Sequence, residues 1–352
     1  MEGNNERARS MSGRGMSNSR YRITFVGMLL LLFAVFLAAL TIGRYDITII
    51  DSIKILLSRV VDIEATWSGT METVIFKLRL PRTLAAILIG AALAVSGAAY
   101  QSMFKNPMVS PDLLGVSSGA AIGASLAILW GLSAIYIQLW AFIGGIIAVT
   151  ITAMIPRLMR NDSIIMLVLA GVIVGGLMSS IMGIIKFVAD ADTALAQMTY
   201  WAMGSVAKVT MPDLYTVGPA IFVAGIMLLS IRYRLNVMSL GESEAKTLGV
   251  NVGRTRVLII VTATLLTASA VCIAGTVGWV GLVIPHLGRM LVGSDNRKML
   301  PVAAIMGAIF MIMIDTTARS LTNAELPISI ITGIIGAPFY FYLLIKQRMA
   351  LK

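Results

Sequence analysis

The sequence predicts an all-α integral membrane protein with about ten transmembrane helices. Hydrophobic residues make up 58% of the chain, charged residues only 13%, and the mean hydropathy is +0.89. A soluble domain carries about twice that share of charged residues. Apolar runs recur along the chain between short polar segments, and a helical run of about 20 residues can cross a bilayer.

Ten apolar runs are candidate spans. In chain order they are Ile23–Ile42, Thr83–Phe104, Leu113–Trp130, Ile135–Ile155, Ser163–Phe187, Tyr215–Ile231, Val257–Ala274, Val277–Val292, Leu300–Ala318 and Ile328–Ile345. With the N-terminus in the cytoplasm, both termini are cytoplasmic and most of the 28 Lys and Arg residues lie on that side. This agrees with the positive-inside rule, so the net charge of +11 indicates topology and not nucleic-acid binding.

The predicted organisation is one membrane domain behind a short tail. Residues 1–22 are rich in Arg, Ser, Gly and Asn and predict a disordered basic cytoplasmic tail. Residues 23–350 are expected to form the polytopic transmembrane domain. The first apolar run is counted as part of this domain because it is too long for a signal peptide. With one Cys and one His, the sequence predicts neither an intrachain disulfide nor a His-rich metal site, and we expect no cofactor.

The segment from Arg79 to Gly123 has the most specific pattern in the chain. It reads RLPRTLAAILIGAALAVSGAAYQSMFKNPMVSPDLLGVSSGAAIG. Two apolar runs flank a polar turn whose two prolines stop the helix on either side. Gly115, Gly119 and Gly123 lie four residues apart, a spacing that allows another helix backbone to approach closely.

This segment and two others carry a resemblance to a known family. The others are AGTVGWVGLVIPHLGRMLVGSDNRKMLP, residues 274–301, and ELPISIITGIIGAPFYFYLL, residues 325–344. Together they resemble the FecCD-type permease subunits of binding-protein-dependent ABC importers for iron–siderophores, haem and cobalamin. Three long blocks in chain order make a far more specific signal than one short motif.

The resemblance implies a type II ABC importer permease, which performs no bond chemistry and is not an enzyme. It implies a homo- or heterodimer of permease subunits in the bacterial plasma membrane, two cytoplasmic ABC ATPase subunits and an extracytoplasmic substrate-binding protein. Iron(III)–siderophore is the expected cargo, with haem or cobalamin as alternatives. The chain has no Gly-Lys pair and therefore no P-loop, so the ATPase would be another polypeptide.

Arginines at the outer ends of two spans are candidate docking residues. The family places arginines at the positions of Arg79, Arg82 and Arg319, where they receive glutamates from the two lobes of the binding protein. The alternative is that such cations only anchor helix ends at the lipid headgroups. Asp315, inside an apolar run, is expected to pair with Arg319 four residues on. That ion pair is either purely structural or orients Arg319 toward the external partner.

The loop of residues 232–256 is the candidate ATPase-coupling loop. It contains a short helical patch, ESEAKTLG, which Gly249 is expected to close in a left-handed conformation. The residues that match the family's docking loop are Glu242, Glu244, Ala245, Leu248 and Gly249. The alternative is a solvated loop with one frayed helical turn.

Three further expectations concern the pathway and the rival classes. Asn106 and Met108 match family positions near the cytoplasmic mouth of the pathway, although Asn before Pro is also a common turn starter. The WAMGS segment, residues 201–205, resembles a re-entrant external helix or is an ordinary interfacial loop. An ion-coupled secondary transporter would need more ionisable groups within its spans. A membrane-embedded enzyme would need a nucleophile and base that this sequence lacks.

Overall fold

The computed structural model describes residues 16–350 except 162 and 323, and this part of the chain is helical with no strand. The predicted all-α class is confirmed. In chain order the helices are α1 (Asn18–Thr41), α2 (Ile49–Leu57), α3 (Gly69–Thr73), α4 (Leu80–Met103), α5 (Val116–Leu129), α6 (Ala134–Leu158), α7 (Ile164–Val188), α8 (Ala194–Ala202), α9 (Met211–Ser230), α10 (Arg232–Leu240), α11 (Glu242–Thr247), α12 (Val252–Ala274), α13 (Val280–Val292), α14 (Asn296–Ser320) and α15 (Ile328–Ala350).

Each of the ten predicted apolar runs coincides with one of these helices. Among the described residues, seven helices are long and apolar enough to cross a membrane, and three apolar helices are shorter. The seven are α1, the continuous helical stretch Gly69–Met103 that includes α3 and α4, and helices α6, α7, α9, α12 and α14. The shorter ones are α5, α13 and the Ile328–Leu343 part of α15.

The two predicted spans at Leu113–Trp130 and Val277–Val292 are longer than the helices that form there. A 3-10 turn, Pro111–Leu114, takes the first residues of one span, so α5 has only 14 residues, about 21 Å of helix. At the other, Trp279 has a φ of 71°, outside the right-handed helical region, and α13 therefore begins only at Val280.

The predicted boundary between the tail, residues 1–22, and the first span lies inside a helix. Residues 1–15 lie outside the described part of the chain, and α1 already begins at Asn18. The Ser17 hydroxyl caps it by accepting a hydrogen bond from the amide of Arg20 at 3.4 Å. The polar residues before the apolar run therefore form the first turn of the first span.

Helix α4 is the centre of the molecule and is buried around most of its circumference. It packs against α9, α12, α13 and α14. Beside this core, α5 and α6 approach each other closely: a Cβ at Gly119 or Gly123 would overlap backbone atoms of α6. The predicted close approach is thus confirmed for these two glycines. Gly115 instead takes a left-handed conformation, with φ 85°, in the turn before α5.

Three irregular backbone segments meet where α8 ends. The amide of Ser205 donates to the carbonyl of Ala274 at 2.7 Å. The amide of Ile328 donates to the carbonyl of Gly204 at 3.0 Å. The segment expected as a re-entrant helix or an interfacial loop is therefore a short helix whose end bonds to the α12–α13 and α14–α15 connections. Such bonds are what non-helical backbone needs at membrane depth.

Candidate functional sites

Five charged side chains form a cluster at one end of the helix bundle. This ion cluster consists of Arg79, Arg82, Asp315, Arg319 and Glu325. Arg79 ends a π-helical turn that runs directly into α4, and Arg82 lies in the first turn of that helix. Asp315 and Arg319 lie in the last turns of α14, and Glu325 lies in the connection to α15. The close packing of α4 on α14 brings the two groups together.

Arg82 is the centre of the ion cluster. Its Nε donates to Asp315 Oδ1 at 2.6 Å, and its Nη1 donates to Glu325 Oε1 and Oε2 at 2.8 and 2.9 Å. Arg82 is 8% exposed and the Asp315 side chain only 2%, whereas 32% of the Glu325 side chain is exposed. Charge-assisted bonds in such a buried setting are strong and directional. Arg82 is thus already paired with two carboxylates of its own chain.

Arg79 and Arg319 bind the C-terminus of α1. The guanidinium of Arg79 donates to the carbonyls of Leu40 at 2.6 Å and Thr41 at 2.9 Å, and Arg319 donates to the carbonyl of Ala39. These carbonyls belong to the last turn of the helix, which has no further helical donors. A cation there also interacts favourably with the negative end of the helix dipole. Both arginines therefore fasten α1 to the core.

The predicted ion pair between Asp315 and Arg319 is only part of the arrangement. Arg319 Nε lies 3.9 Å from Asp315 Oδ2, whereas Arg82 reaches the other oxygen of Asp315 at 2.6 Å. The shorter contact crosses between two helices, and the i, i+4 contact is secondary. Asp315 therefore joins α4 to α14 more than it orients Arg319.

Glu325 is the member of the cluster that sequence reasoning missed. It opens the ELPISIITG block, but it lies ten residues after Asp315 in a connection between helices, where a charged residue looks solvated. A usable signal was the charge balance. Three arginines near one buried acid leave two cations unpaired, and buried charges need partners. A second carboxylate close to the same helix ends was therefore to be expected.

The docking role of Arg79, Arg82 and Arg319 remains a prediction, but their surroundings constrain it. All three are buried, and their hydrogen bonds go to carbonyls of α1 and of Tyr45, to Thr316 or to carboxylates of this chain. Removing one partner of a buried ion pair is costly, about 3–5 kcal/mol. Among the described carboxylates bound to Arg82, Glu325 is the more exposed, so exchange with Glu325 is the most direct route for a docking partner.

The predicted coupling loop, residues 232–256, is two short helices in the structure, α10 and α11, and the start of α12. We call it the coupling segment. Helix α10 is anchored through Asn236, whose side chain donates to Asp295 Oδ1 at 2.6 Å and accepts from the Asn296 amide at 2.7 Å. Asp295 and Asn296 begin α14, so the coupling segment is fixed to the helix that carries the ion cluster at its other end.

Helix α11 ends in a complete glycine cap. Gly249 has a φ of 78°, the left-handed conformation that was predicted. Its amide donates to the carbonyl of Lys246 at 3.0 Å, and the next amide, of Val250, donates to the carbonyl of Ala245 at 2.9 Å. These are the two bonds of a Schellman motif. The frayed-turn alternative does not describe this segment.

The predicted coupling residues divide into inward and outward ones. Ala245 is fully buried, whereas Leu248 is 59% exposed and Gly249 has open space around it. Glu242 pairs with Arg256. Glu244 is exposed, and its own backbone amide and the Ser243 hydroxyl hold the pKa of its carboxyl below the ordinary value. One side of the short helix therefore packs inward, and an apolar tip with a glycine turn projects outward.

The turn after α4 contacts the coupling segment. Lys105 Nζ donates to the carbonyl of Leu240 at 3.1 Å. Asn106 caps the turn, because its Oδ1 accepts from the amide of Met108 at 2.9 Å, which agrees with the turn-starter interpretation. Asn106 also lines a small polar cavity of about 220 Å³, and Met108 is exposed. Their role as a gate remains a prediction.

The architecture defines a class before any comparison: a polytopic helical membrane protein with a buried charge cluster at one end and a capped helical excursion near the opposite ends of its helices. Comparison then identifies the family. The model of the FecCD transport family matches residues 30–346, and the chain belongs to that family. It is therefore the membrane-embedded permease subunit of an ABC importer, a class that works in a dimeric arrangement with ATPase subunits and a substrate-binding protein.

Individual relatives cover more than three quarters of the chain. The molybdate import system permease protein MolB of Haemophilus influenzae is 38% identical over 333 residues, 95% of this chain and 98% of the relative. A probable iron chelatin transport system permease of Helicobacter pylori is 36% identical over 280 residues, 80% of this chain and 85% of the relative. Other relatives are named for cobalamin and hemin transport.

A solved structure supports the fold assignment. It is described as an inward-facing conformation of a putative metal-chelate type ABC transporter, and it superposes with a TM-score of 0.83 at 37% identity. The match covers 92% of this chain and 99% of the other. The predicted type II importer architecture is confirmed.

Proposed function

We propose that the chain is the permease of an ATP-driven importer for a chelated metal, with iron(III)–siderophore as its cargo. The observation that carries the transport role is the coupling segment, which presents a rigidly capped helix with an exposed apolar tip. Lys105 holds the last residue of α10, directly before α11, and α11 itself ends in a Schellman cap. Such a projection is suited to insertion into a groove of an ATPase subunit, with Leu248 as the apolar anchor.

Reconstitution tests the transport role directly. The permease is placed in proteoliposomes with its ATPase and binding protein, and uptake of a radiolabelled ferric siderophore is measured with and without internal ATP. Uptake should require ATP, the binding protein and the coupling segment. Uptake that follows a proton or sodium gradient without ATP would favour an ion-coupled transporter instead.

The cargo is tested by competition in the same vesicles. Haem and cobalamin remain alternatives, since relatives carry those names. Molybdate is a second candidate because the relative named for its import matches almost end to end. An excess of the true cargo should abolish uptake of the label, while the others leave it unchanged. Uptake of labelled molybdate, with no uptake of the labelled ferric siderophore, would replace the ferric siderophore as the assigned cargo.

The docking part of the proposal concerns the ion cluster. Glu325 is its most exposed acid, and it occupies the Nη1 side of Arg82 with both carboxylate oxygens. A glutamate of the binding protein would reach Arg82 by taking the place of Glu325. Arg79 and Arg319 would then act first as the groups that hold α1 and position Arg82. This arrangement makes Glu325 a competitor of the binding protein.

The membrane orientation follows from the same assignment. The ion cluster faces the extracytoplasmic side of a bacterial plasma membrane, and the coupling segment faces the cytoplasm together with both termini, which lie outside the described residues. Thr70→Cys and Leu248→Cys test this, since both positions are exposed and the native Cys272 is buried. In intact cells an impermeant thiol reagent should label the first variant and not the second. The reverse pattern would invert the assignment.

A further inference from the structure

A groove of about 1090 Å³ lies between α6 and α12 and reaches the start of α7. Most of its length is lined by aliphatic side chains, among them Ile146, Val149, Val257 and Val261. Both α6 and α12 are long enough to cross a membrane, and Val257 and Val261 are exposed on the outside of the bundle. The groove is therefore open at the surface of the subunit, where either lipid or a neighbouring subunit lies in a membrane.

The length of the groove corresponds to one leaflet. On α6 it extends from Ile146 to Arg157, and on α12 from Val252 to Leu265. These stretches rise about 16 and 20 Å, and one leaflet is about 15 Å of hydrocarbon and about 20 Å with its headgroup region. A pathway for a solute would have to continue through the other leaflet. A groove that stops at mid-membrane matches a lipid chain that enters from one surface.

The open end of the groove is strongly basic. Arg157, Lys246, Arg254 and Arg256 line it, and among the described lining residues the one acid is Glu242. Among the described residues, the one ion pair at this end joins Glu242 to Arg256. Arg157, Lys246 and Arg254 are exposed and bring three positive charges to the level where headgroups lie. Basic pockets between transmembrane helices at this level are suited to anionic headgroups.

We propose that this groove binds one anionic phospholipid from the leaflet beside the coupling segment. The headgroup phosphate is held by Arg157 and Arg254, and one acyl chain lies along Val257 and Val261. The excess of positive charge favours an anionic headgroup, and the aliphatic side chains that line the groove favour a lipid over a free anion. Because Glu242 and Lys246 belong to α11, the bound lipid also contacts the coupling segment.

Lipid titration of the purified full chain tests the proposal. Native mass spectrometry counts bound phosphatidylglycerol, phosphatidylcholine and inorganic phosphate on the wild type and on an Arg157→Gln/Arg254→Gln variant. Phosphatidylglycerol should bind at least about tenfold more tightly than phosphatidylcholine. Each cation near a headgroup changes affinity about fivefold, so the double variant should bind about 30-fold more weakly. Arg157→Lys/Arg254→Lys should retain most of the affinity.

Matched controls separate the groove from general surface charge. Arg232→Gln/Arg234→Gln removes two exposed arginines outside the groove and should change binding less than about twofold. Val261→Trp fills the groove without changing charge and should abolish the preference, whereas Val223→Trp on α9 should not. Equal affinity for the two lipids, equal losses in both arginine pairs, or equally tight binding of inorganic phosphate would each overturn the proposal.

Discussion

The ion cluster and the coupling segment use charged and polar residues in opposite ways. In the ion cluster every member bonds within the chain, and the burial of Arg82 and Asp315 leaves little surface for a partner. In the coupling segment the internal bonds serve to anchor the helices, through Asn236 and Lys105, while Leu248 stays exposed. Charged groups that are already paired within the chain contribute mainly to its stability. An exposed apolar residue on an anchored helix is available for contact with another protein.

This difference determines how each region can bind another protein. The coupling segment can be contacted without breaking a bond that the structure shows. In the ion cluster a partner would compete with pairs that already exist, and the most exposed of these is the pair between Arg82 and Glu325. Mutations should therefore affect stability at the cluster and coupling at the segment. Three experiments test this contrast.

Asp315→Ala should have the largest effect. The change leaves Arg82 and Arg319 buried with one carboxylate fewer, and loss of a buried ionic partner costs about 3–5 kcal/mol. We expect a lower melting temperature and reduced yield of the purified permease, measured by differential scanning fluorimetry in detergent.

The control for this change is the ion pair between Arg59 and Glu72, which is exposed. These side chains meet at 2.8 Å but are 64% and 39% exposed, so Glu72→Ala should cost less than about 1 kcal/mol. An equal loss in both variants would show that burial does not distinguish the two pairs, and the structural role of the cluster would be wrong.

Gly249→Val should have an intermediate effect, confined to coupling. A Cβ at this position meets no atom within 4 Å, so the strain comes only from the left-handed backbone and amounts to about 1–2 kcal/mol. The cap of α11 should loosen while the membrane helices stay intact. We expect ATP hydrolysis to be uncoupled from uptake, or the ATPase to dissociate, with unchanged membrane insertion.

Gly249→Asn is the matched control, because Asn tolerates the left-handed conformation. It should retain most of the uptake that Gly249→Val loses. Normal uptake and ATPase retention in Gly249→Val would exclude the coupling segment from the mechanism. Equal loss in both variants would indicate that the side chain obstructs a partner and that the cap conformation is unimportant.

The sequence predicted the parts of this molecule that depend on local pattern. Apolar runs located each long helix, and the left-handed cap at Gly249 followed from glycine after a short helical patch. The lengths of α5 and α13 were not predictable, because apolar composition does not reveal where a turn such as that at Trp279 interrupts a helix. Hydropathy predicts which segments are apolar enough to lie in lipid. It does not predict where the backbone of such a segment departs from a helix inside the bundle.

The ion cluster shows the same limit for side chains. The i, i+4 spacing of Asp315 and Arg319 was visible, and the contact exists at 3.9 Å. The shorter bond to Arg82 joins residues 233 positions apart, and only the packing of α4 on α14 brings them together. The capping of α1 by Arg79 and Arg319 likewise depends on how three helices meet. Sequence spacing finds partners on one helix, and tertiary packing decides which partner is closer.

Glu325→Gln should have the smallest effect and is the most discriminating test of docking. If the binding protein replaces Glu325 on Arg82, removing that charge weakens the competitor and should tighten binding of the binding protein. A partly exposed ion pair of up to about 1 kcal/mol corresponds to a gain of about two- to fivefold. Arg82→Glu should have the opposite sign, although it also places an acid beside Asp315 and must be checked for folding.

The affinity is measured by surface plasmon resonance on permease–ATPase complexes at low salt, where screening is weakest. Glu64→Gln, an exposed acid in the connection between α2 and α3, removes the same charge away from the cluster and should leave the affinity unchanged. A gain in both variants would show general electrostatic attraction with no role for exchange. A loss of affinity in Glu325→Gln would mean that Glu325 supports Arg82 and does not compete for it. Only a gain confined to Glu325→Gln is consistent with a cluster that must break one of its own pairs to bind a partner.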